Sequence, residues 1–242
     1  MINIQRLFIK GTIMVRPKRN AQQTDLQETI KQTAWRQIAE FGAPTLSLRA
    51  IARELGITAP AIYNYFPRRD DLVTALIIDA YNSFGDSQLA ARDAIPVNDP
   101  VARLMATGMA YRQWALTYPQ RYQLIFGTPI PGYVAPFEQV FPSGARSLGA
   151  LVSVIEALRL KGMLSTDDFP QVSPGYEMSF AAWKNYGGEA DVLSLSVAVL
   201  VWSRVHGLVS LEIAKNMPPF GVNGDALYLF EMNSISKQFI KA

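Results

Sequence analysis

The stretch that most constrains the fold runs from Leu46 to Leu72, LSLRAIARELGITAPAIYNYFPRRDDL. Between Ser47 and Leu55, apolar Leu48, Ile51, Ala52 and Leu55 recur at the i, i+3, i+4, i+7 spacing of a helix with one buried stripe. Gly56 follows, where a helix ends easily in a left-handed residue because no Cβ clashes. Ile57 gives the turn one apolar anchor. Thr58 is placed to cap a second short helix, Ala59 to Phe66, with Pro60 in its first turn, where a missing N–H does no harm. Pro67 and the pair Arg68-Arg69 end it. Two short helices joined by a Gly-containing turn make a helix-turn-helix, whose second helix enters the DNA major groove.

The flanks complete a module. Thr24 and Gln27 have the spacing of a capping box, so a preceding helix is expected from near Thr24 to Phe41, closed by Gly42. Ile30, Ala34, Ile38 and Phe41 form its stripe, broadened by Trp35, and residues 24–70 read as a three-helix domain. Residues 1–23 read as a basic tail in which Arg16, Lys18 and Arg19 could reach the minor groove or the phosphates; solvated disorder is the alternative. Met14 is an alternative start, with residues 1–13 an upstream extension. Asp70-Asp71 suit the N-terminus of a connecting helix, residues 71–94, carrying Leu72, Leu76, Ala80 and Phe84, with a bend at Gly85. Residues 1–71 hold eleven Lys/Arg against six Asp/Glu, whereas residues 72–242 hold twelve against fourteen. A basic module on a mildly acidic body suits phosphate neutralisation, although ordinary surface variation gives the same balance.

The body, residues 95–242, has helical spacing throughout and no sustained period-two alternation. Asp99 caps a helix from Pro100 to about Thr117, and Pro119 starts another to Phe126. Residues 127–136 are Pro- and Gly-rich loop. Helices are expected over Leu148–Lys161, Tyr176–Tyr186, Asp191–Asn216 and Asp225 to about Ile240, with a loop over 163–175 that holds Asp167-Asp168. The fold class is therefore all-α, an N-terminal helix-turn-helix domain followed by a helical bundle. With no cysteine and one histidine, the chain offers no disulfide, no thiolate or imidazole-rich metal centre and no Ser-His-Asp triad. No metal, cofactor or enzymatic activity is expected. Val192–Val201 is too short to span a bilayer and the N-terminus lacks a secretion signal, so the expected setting is the reducing cytoplasm without a membrane.

Phe41-Gly42, Leu46-Ser47, Ile51-Ala52, Leu55-Gly56-Ile57, Ala61-Ile62-Tyr63, Phe66 and Leu72, in one unbroken order, resemble the TetR family of bacterial transcriptional regulators. Two departures stand out: Arg69 replaces the family's usual lysine, and Asn64-Tyr65 replace a common aromatic-His pair. Trp202, His206 and Gly207, together with YRQWALTYPQRYQLIF from Tyr111 to Phe126, resemble the Trp-His-Gly domain of one branch of these regulators. The resemblance implies a homodimeric regulator, a repressor that leaves its palindromic operator when a small-molecule effector binds the body. The alternative is a helical small-molecule-binding protein that does not bind DNA.

Candidate DNA-binding residues are Ser47, Arg49, Thr58, Ala59, Pro60, Ala61, Tyr63, Asn64, Tyr65, Arg68 and Arg69. Asn64 can pair with adenine and alanine methyls can touch thymine, whereas Ser47, Tyr65, Arg68 and Arg69 suit phosphates, which position rather than specify. The groove-facing set is small and weakly charged, so shape readout is expected to carry much of the specificity. The body is rich in large soft side chains, Phe137 and Phe141 among them; as a set with the resemblance, Met105, Met109, Tyr111, Trp114, Tyr122, Phe126, Trp183 and His206 are the candidate effector pocket. Singly, each reads as ordinary core. His206 reads first as a hydrogen-bonded core or interface residue, then as a pocket group, then as a pH switch, and Tyr111 and Arg112 are further candidates for polar pocket groups. Dimer contacts are expected at Leu200, Val201, Gly207, Leu208, Leu211, Tyr228, Phe230 and Met232, with burial inside one monomer the rival for each.

Overall fold

The computed structural model describes residues 19–165, 169, 173–216 and 224–241. The tail residues Arg16 and Lys18 and the acidic pair Asp167-Asp168 lie outside them. Among the described residues the chain is helical, and its one β-bridge joins Leu164 to Ile240.

Helix α1 spans Arg19–Phe41. It begins before the expected capping box, because nothing from Arg19 to Gln23 breaks a helix; Thr24 lies inside it. Ile30, Ala34 and Ile38 are buried, but Phe41 is 60% exposed and does not belong to the stripe. Gly42, at φ 83°, takes the chain out of the helix into a 3-10 turn at Ala43–Thr45. Helix α2 is Leu48–Glu54, capped by Ser47, whose Oγ accepts from the Ala50 N–H at 3.4 Å. Gly56 takes the left-handed conformation at φ 65° that its place in the turn requires. Helix α3 is Ala59–Tyr63, shorter than the spacing predicts, and a tighter turn carries the chain on to Phe66. Thr58 holds the capping position in extended backbone, yet its hydroxyl makes no capping bond.

Helix α4, Arg69–Asp93, is continuous through Gly85. Glycine is needed there for proximity: a Cβ at Gly85 would lie 3.2 Å from the Ser147 Cα on the neighbouring helix. The Asp71 carboxylate closes the N-terminus by accepting from the Arg68 N–H at 2.9 Å and from its guanidinium. Leu72, Leu76, Ala80 and Phe84 are all buried, as their spacing predicts. The first two join a core with α1, α2 and α3, in which Ile51 and Ile62 are fully buried. Phe84 joins the core of the body. One helix thus belongs to both cores.

The body adds α5 (Pro100–Thr117, capped by Asp99), α6 (Pro119–Phe126) and α7 (Phe137–Leu160). Helix α7 starts well before the predicted Leu148. Pro142 falls in its second turn, where the missing N–H deprives only the Glu138 carbonyl. A 3-10 segment at Tyr176–Phe180 leads into α8, Ala181–Tyr186. Helices α9, Val192–Ile213, and α10, Gly224–Phe239, close the chain. By length and composition α9 could cross a membrane, an outcome the shorter run Val192–Val201 did not suggest; here it packs on α5, α7 and α10. Buried Arg112 on α5 donates to both Glu212 oxygens at 2.7 and 2.6 Å and to Asp225 at 2.5 Å, clamping α5, α9 and α10 together. The loop after α6 returns to the first core: Ile130 is buried in it, and the Tyr133 hydroxyl lies 2.9 Å from the Thr74 Oγ1.

Candidate functional site

The helix-turn-helix presents Arg49, Thr58, Ala59, Pro60, Tyr63 and Asn64 to solvent, while Ile62 and Phe66 anchor α3 inward. Ala61 and Tyr65 are half-buried, Tyr65 against the core. Three of the polar candidates already have work inside the domain. The Ser47 hydroxyl caps α2. The Arg68 guanidinium pairs with Asp71 at 2.8 Å. Arg69 donates to the Leu46, Ala43 and Pro44 carbonyls at 3.0, 3.1 and 3.0 Å, tying the start of α4 to the chain before α2. On its other side α4 holds α1 through Lys31, which bonds Asp79 at 2.6 Å and pairs with Glu28 at 2.8 Å. Burial disfavours the Lys31 charge, but its two carboxylate partners outweigh that and raise its pKa.

A cavity of about 480 Å³ lies between α4, α5, α7 and α9. Tyr81, Phe84 and Gln88 of α4 form one wall and Leu104, Thr107, Gly108 and Tyr111 of α5 another. Phe141, Ser147, Leu148 and Leu151 come from α7 and Val201, Trp202 and Val205 from α9. Exposed Ala135, Phe137 and Val199 lie at its margin. Of the predicted pocket residues it contains Tyr111 and Phe126. Met105, Met109, Trp114, Tyr122, Trp183 and His206 do not line it. Met109 is exposed, Met105 packs against the body core, and Trp114 and Trp183 are buried within that core. Arg112 is spent on its clamp rather than on the cavity.

Tyr122 and His206 stand behind the wall. The His206 Nδ1 lies 3.0 Å from the Tyr111 hydroxyl and 2.9 Å from that of Tyr122, and its Nε2 lies 3.3 Å from the Ser210 Oγ. Trp202 stacks on the imidazole at 4.8 Å between centroids, and Phe126 meets it edge-on at 5.1 Å. Burial lowers the His206 pKa and raises those of Tyr111 and Tyr122, so the cluster is uncharged at neutral pH. Trp202 and His206 of the Trp-His-Gly motif therefore build and support the cavity wall. The third member, Gly207, is exposed with open space beside it.

The α4 wall was missed, although Tyr81, Phe84 and Gln88 continue the helical spacing of Leu76 and Ala80. A polar Gln88 within that apolar stripe was the available signal. For the dimer, Leu200 and Leu211 are 46% and 41% exposed and Gly207 is open, while Leu208 is half-buried. Tyr228 and Met232 are corrected: at 2% and 0% exposure they fill the monomer's own core, with Met232 on the cavity wall. On the outer face of α10 the expected Phe230 is exposed, beside Leu227, whereas the expected Val201 of α9 is buried on the cavity wall.

Comparisons with known proteins fit both halves. The family model for bacterial regulatory proteins of the tetR family matches residues 30–76. The one for the tetracyclin repressor-like C-terminal domain, of the Trp-His-Gly type, matches residues 104–234. The HTH-type transcriptional regulator Rv1816 of Mycobacterium tuberculosis is 35% identical over 199 residues, 81% of this chain and 84% of the relative. The HTH-type transcriptional regulator Mb1846 of Mycobacterium bovis matches to the same extent, 35% over 199 residues. Among solved structures, the regulatory protein SCO4313 is 34% identical with a TM-score of 0.73, covering 90% of this chain and 98% of that one. A SmeT–triclosan complex shares the fold at 14% identity and a TM-score of 0.60, over 90% of this chain and 92% of that one. The chain belongs to the TetR family of DNA-binding, helix-turn-helix transcriptional regulators.

Proposed function

We propose that the protein is a homodimeric, ligand-responsive repressor that binds a palindromic operator in the cytoplasm and leaves it when a small molecule fills the body cavity. The observation that carries this reading is the double membership of α4. Its Leu72 and Leu76 lie in the core that seats α2 and α3, and its Tyr81, Phe84 and Gln88 wall the cavity. A ligand that moves that wall acts on the helix holding the recognition element. DNA and effector then compete through one coupling free energy and weaken each other reciprocally. The SmeT–triclosan complex is a small-molecule complex on the same fold and supports the reading by analogy.

The domains are read as residues 24–70 for DNA, 71–94 for connection and 95–242 for effector and dimer, after a basic tail over 1–23. At the DNA, Thr58, Ala59, Pro60, Ala61, Tyr63 and Asn64 face the groove, and Ser47, Arg49, Tyr65 and Arg68 lie toward the phosphates, with Arg69 acting through the turn it ties. Among the described residues, Arg49 is the cation of this set without an ion pair, Arg68 and Arg69 each facing an aspartate. The apolar outer faces of α9 and α10, with Leu200, Leu211, Leu227 and Phe230, form the dimer contact across a two-fold axis. That symmetry sets the half-site centres about 34–36 Å, or a multiple, apart. Selection of bound duplexes from a random pool tests the reading: it recovers an inverted repeat with that spacing. Recovery of unrelated sequences, or of single half-sites only, overturns it.

A further inference from the structure

The cavity has an unusual polar inventory. Among the described residues that line it there is no Asp, Glu, Lys, Arg or His. The nearby arginines are neutralised elsewhere, Arg112 by Glu212 and Asp225 and Arg146 by Asp86. Two hydroxyl hydrogens of the wall, those of Thr107 and Ser147, are held closely, and that of Tyr81 at longer range. Thr107 donates to the Arg103 carbonyl at 2.8 Å, Ser147 to that of Gly144 at 2.7 Å and Tyr81 to that of Ile125 at 3.5 Å. Tyr111 is shared with His206 and Tyr122.

Gln88 completes the pattern. It is 3% exposed, and its side-chain nitrogen approaches the Ser147 carbonyl at 3.3 Å and the Phe84 carbonyl at 3.5 Å. Two carbonyls can be met only by the NH2 end, which fixes the amide orientation and leaves the side-chain oxygen without a protein donor. Among the described residues the sealed atoms without a partner are the Trp183 Nε1 and the Ser194 Oγ, so this oxygen is reached from the cavity, and a ligand that displaces solvent from it gains by supplying a donor. Among the described residues, the wall therefore offers acceptors, rings and methyl groups, and no charge.

We infer that the effector is an uncharged, largely apolar molecule carrying a hydroxyl or N–H donor that is placed on the Gln88 side-chain oxygen. The inference rests on reading this cavity as the effector site. A volume near 480 Å³ suits a drug-sized molecule. A carboxylate would lose its hydration without finding a cation. An ammonium would find ring faces but no carboxylate to replace its water.

The test titrates the purified full chain at pH 7 with four biphenyls: the 4-hydroxy, 4-methoxy, 4-carboxylate and 4-methylammonium derivatives. Calorimetry gives the affinities. The hydroxy compound is expected to bind about 3- to 10-fold more tightly than the methoxy compound. The two charged compounds are expected to bind at least ~100-fold more weakly than the hydroxy compound. Gln88→Met and Gln88→Leu are expected to bring hydroxy and methoxy within about 2-fold while methoxy binding, which also reports the fold, is kept. Methoxy binding as tight as hydroxy in the native chain, or a charged compound matching it, overturns the inference and leaves the cavity reading standing. The charge series needs no variant. Leu148→Trp, which fills the cavity, is expected to abolish both neutral ligands; no neutral binding in the native chain, or binding untouched by Leu148→Trp, counts against the cavity reading itself.

Discussion

Arg69 was expected to meet a phosphate, and the structure uses it as a tie. Its guanidinium spans three carbonyls, at Leu46, Ala43 and Pro44, and its side chain is 29% exposed. A hydrogen bond from a charged donor contributes about 1.5–3 kcal/mol when water cannot replace it. Pro44 is exposed and Ala43 half-buried, so water substitutes in part there, whereas Leu46 is buried. Weighted this way, Arg69→Ala weakens the hold on the 3-10 turn and α2 by about 2–4 kcal/mol. Arg69→Lys keeps the charge but offers a point donor in place of a fork, so it still loses about 1–2 kcal/mol. Segment-resolved hydrogen exchange is the assay. At about 1.4 kcal/mol per tenfold, amides of α2 should exchange about 30- to 1,000-fold faster in Arg69→Ala. A phosphate role predicts a different pattern: normal exchange in Arg69→Lys, and in Arg69→Ala a salt slope of DNA binding reduced by about one. That pattern would refute the tie.

Other perturbations test the remaining parts. Arg49→Ala should weaken binding to all duplexes alike and lower the salt slope by about one, read by anisotropy across a salt series. Gly85→Leu should force α4 from α7 at the Ser147 backbone and cost about 1–3 kcal/mol in urea unfolding. Leu200→Glu with Leu211→Glu places charge on the outer face of α9 and should give a folded monomer in sedimentation, with operator affinity down at least ~100-fold. His206 titrates at about 6.5 when unfolded and lower when folded, because burial opposes its charge. The unfolded state then takes the proton first, so this contribution is complete above about pH 6.5 and is lost as pH falls through the lower folded pKa. As the only histidine in the chain, its replacement in His206→Gln should remove that one-proton component of stability between pH 7 and 5.

The parts of the fold that were legible are those governed by neighbours along the chain. Leu48, Ile51, Ala52 and Gly56 placed α2 and its turn, and Asp99 and Pro119 placed two helix starts correctly. Errors arose where tertiary packing decides. Helix α7 was expected only from Leu148, yet it starts at Phe137: Pro142 near its start costs little, and the helix packs along α4 and α5. Tyr228 and Met232 show the ambiguity of a helix that is apolar on more than one face: spacing identifies the faces but not which one the same chain covers. The cavity was hardest. Its walls draw on six helices, and Gln88 acquires meaning only beside Ser147, distant in sequence. The aromatic richness of the body pointed to a pocket, while Trp114 and Trp183 went to solid core and Tyr122 to the support of His206.

The central claim is that cavity and recognition helix are coupled through α4, and a linkage measurement tests it most directly. Operator affinity is measured on the selected duplex with and without saturating cavity ligand, and ligand affinity with and without duplex. Operator binding should weaken about 5- to 150-fold with the ligand bound, and ligand binding by the same factor on DNA. Operator affinity unchanged at saturating ligand, with the ligand shown to occupy the cavity, would contradict it.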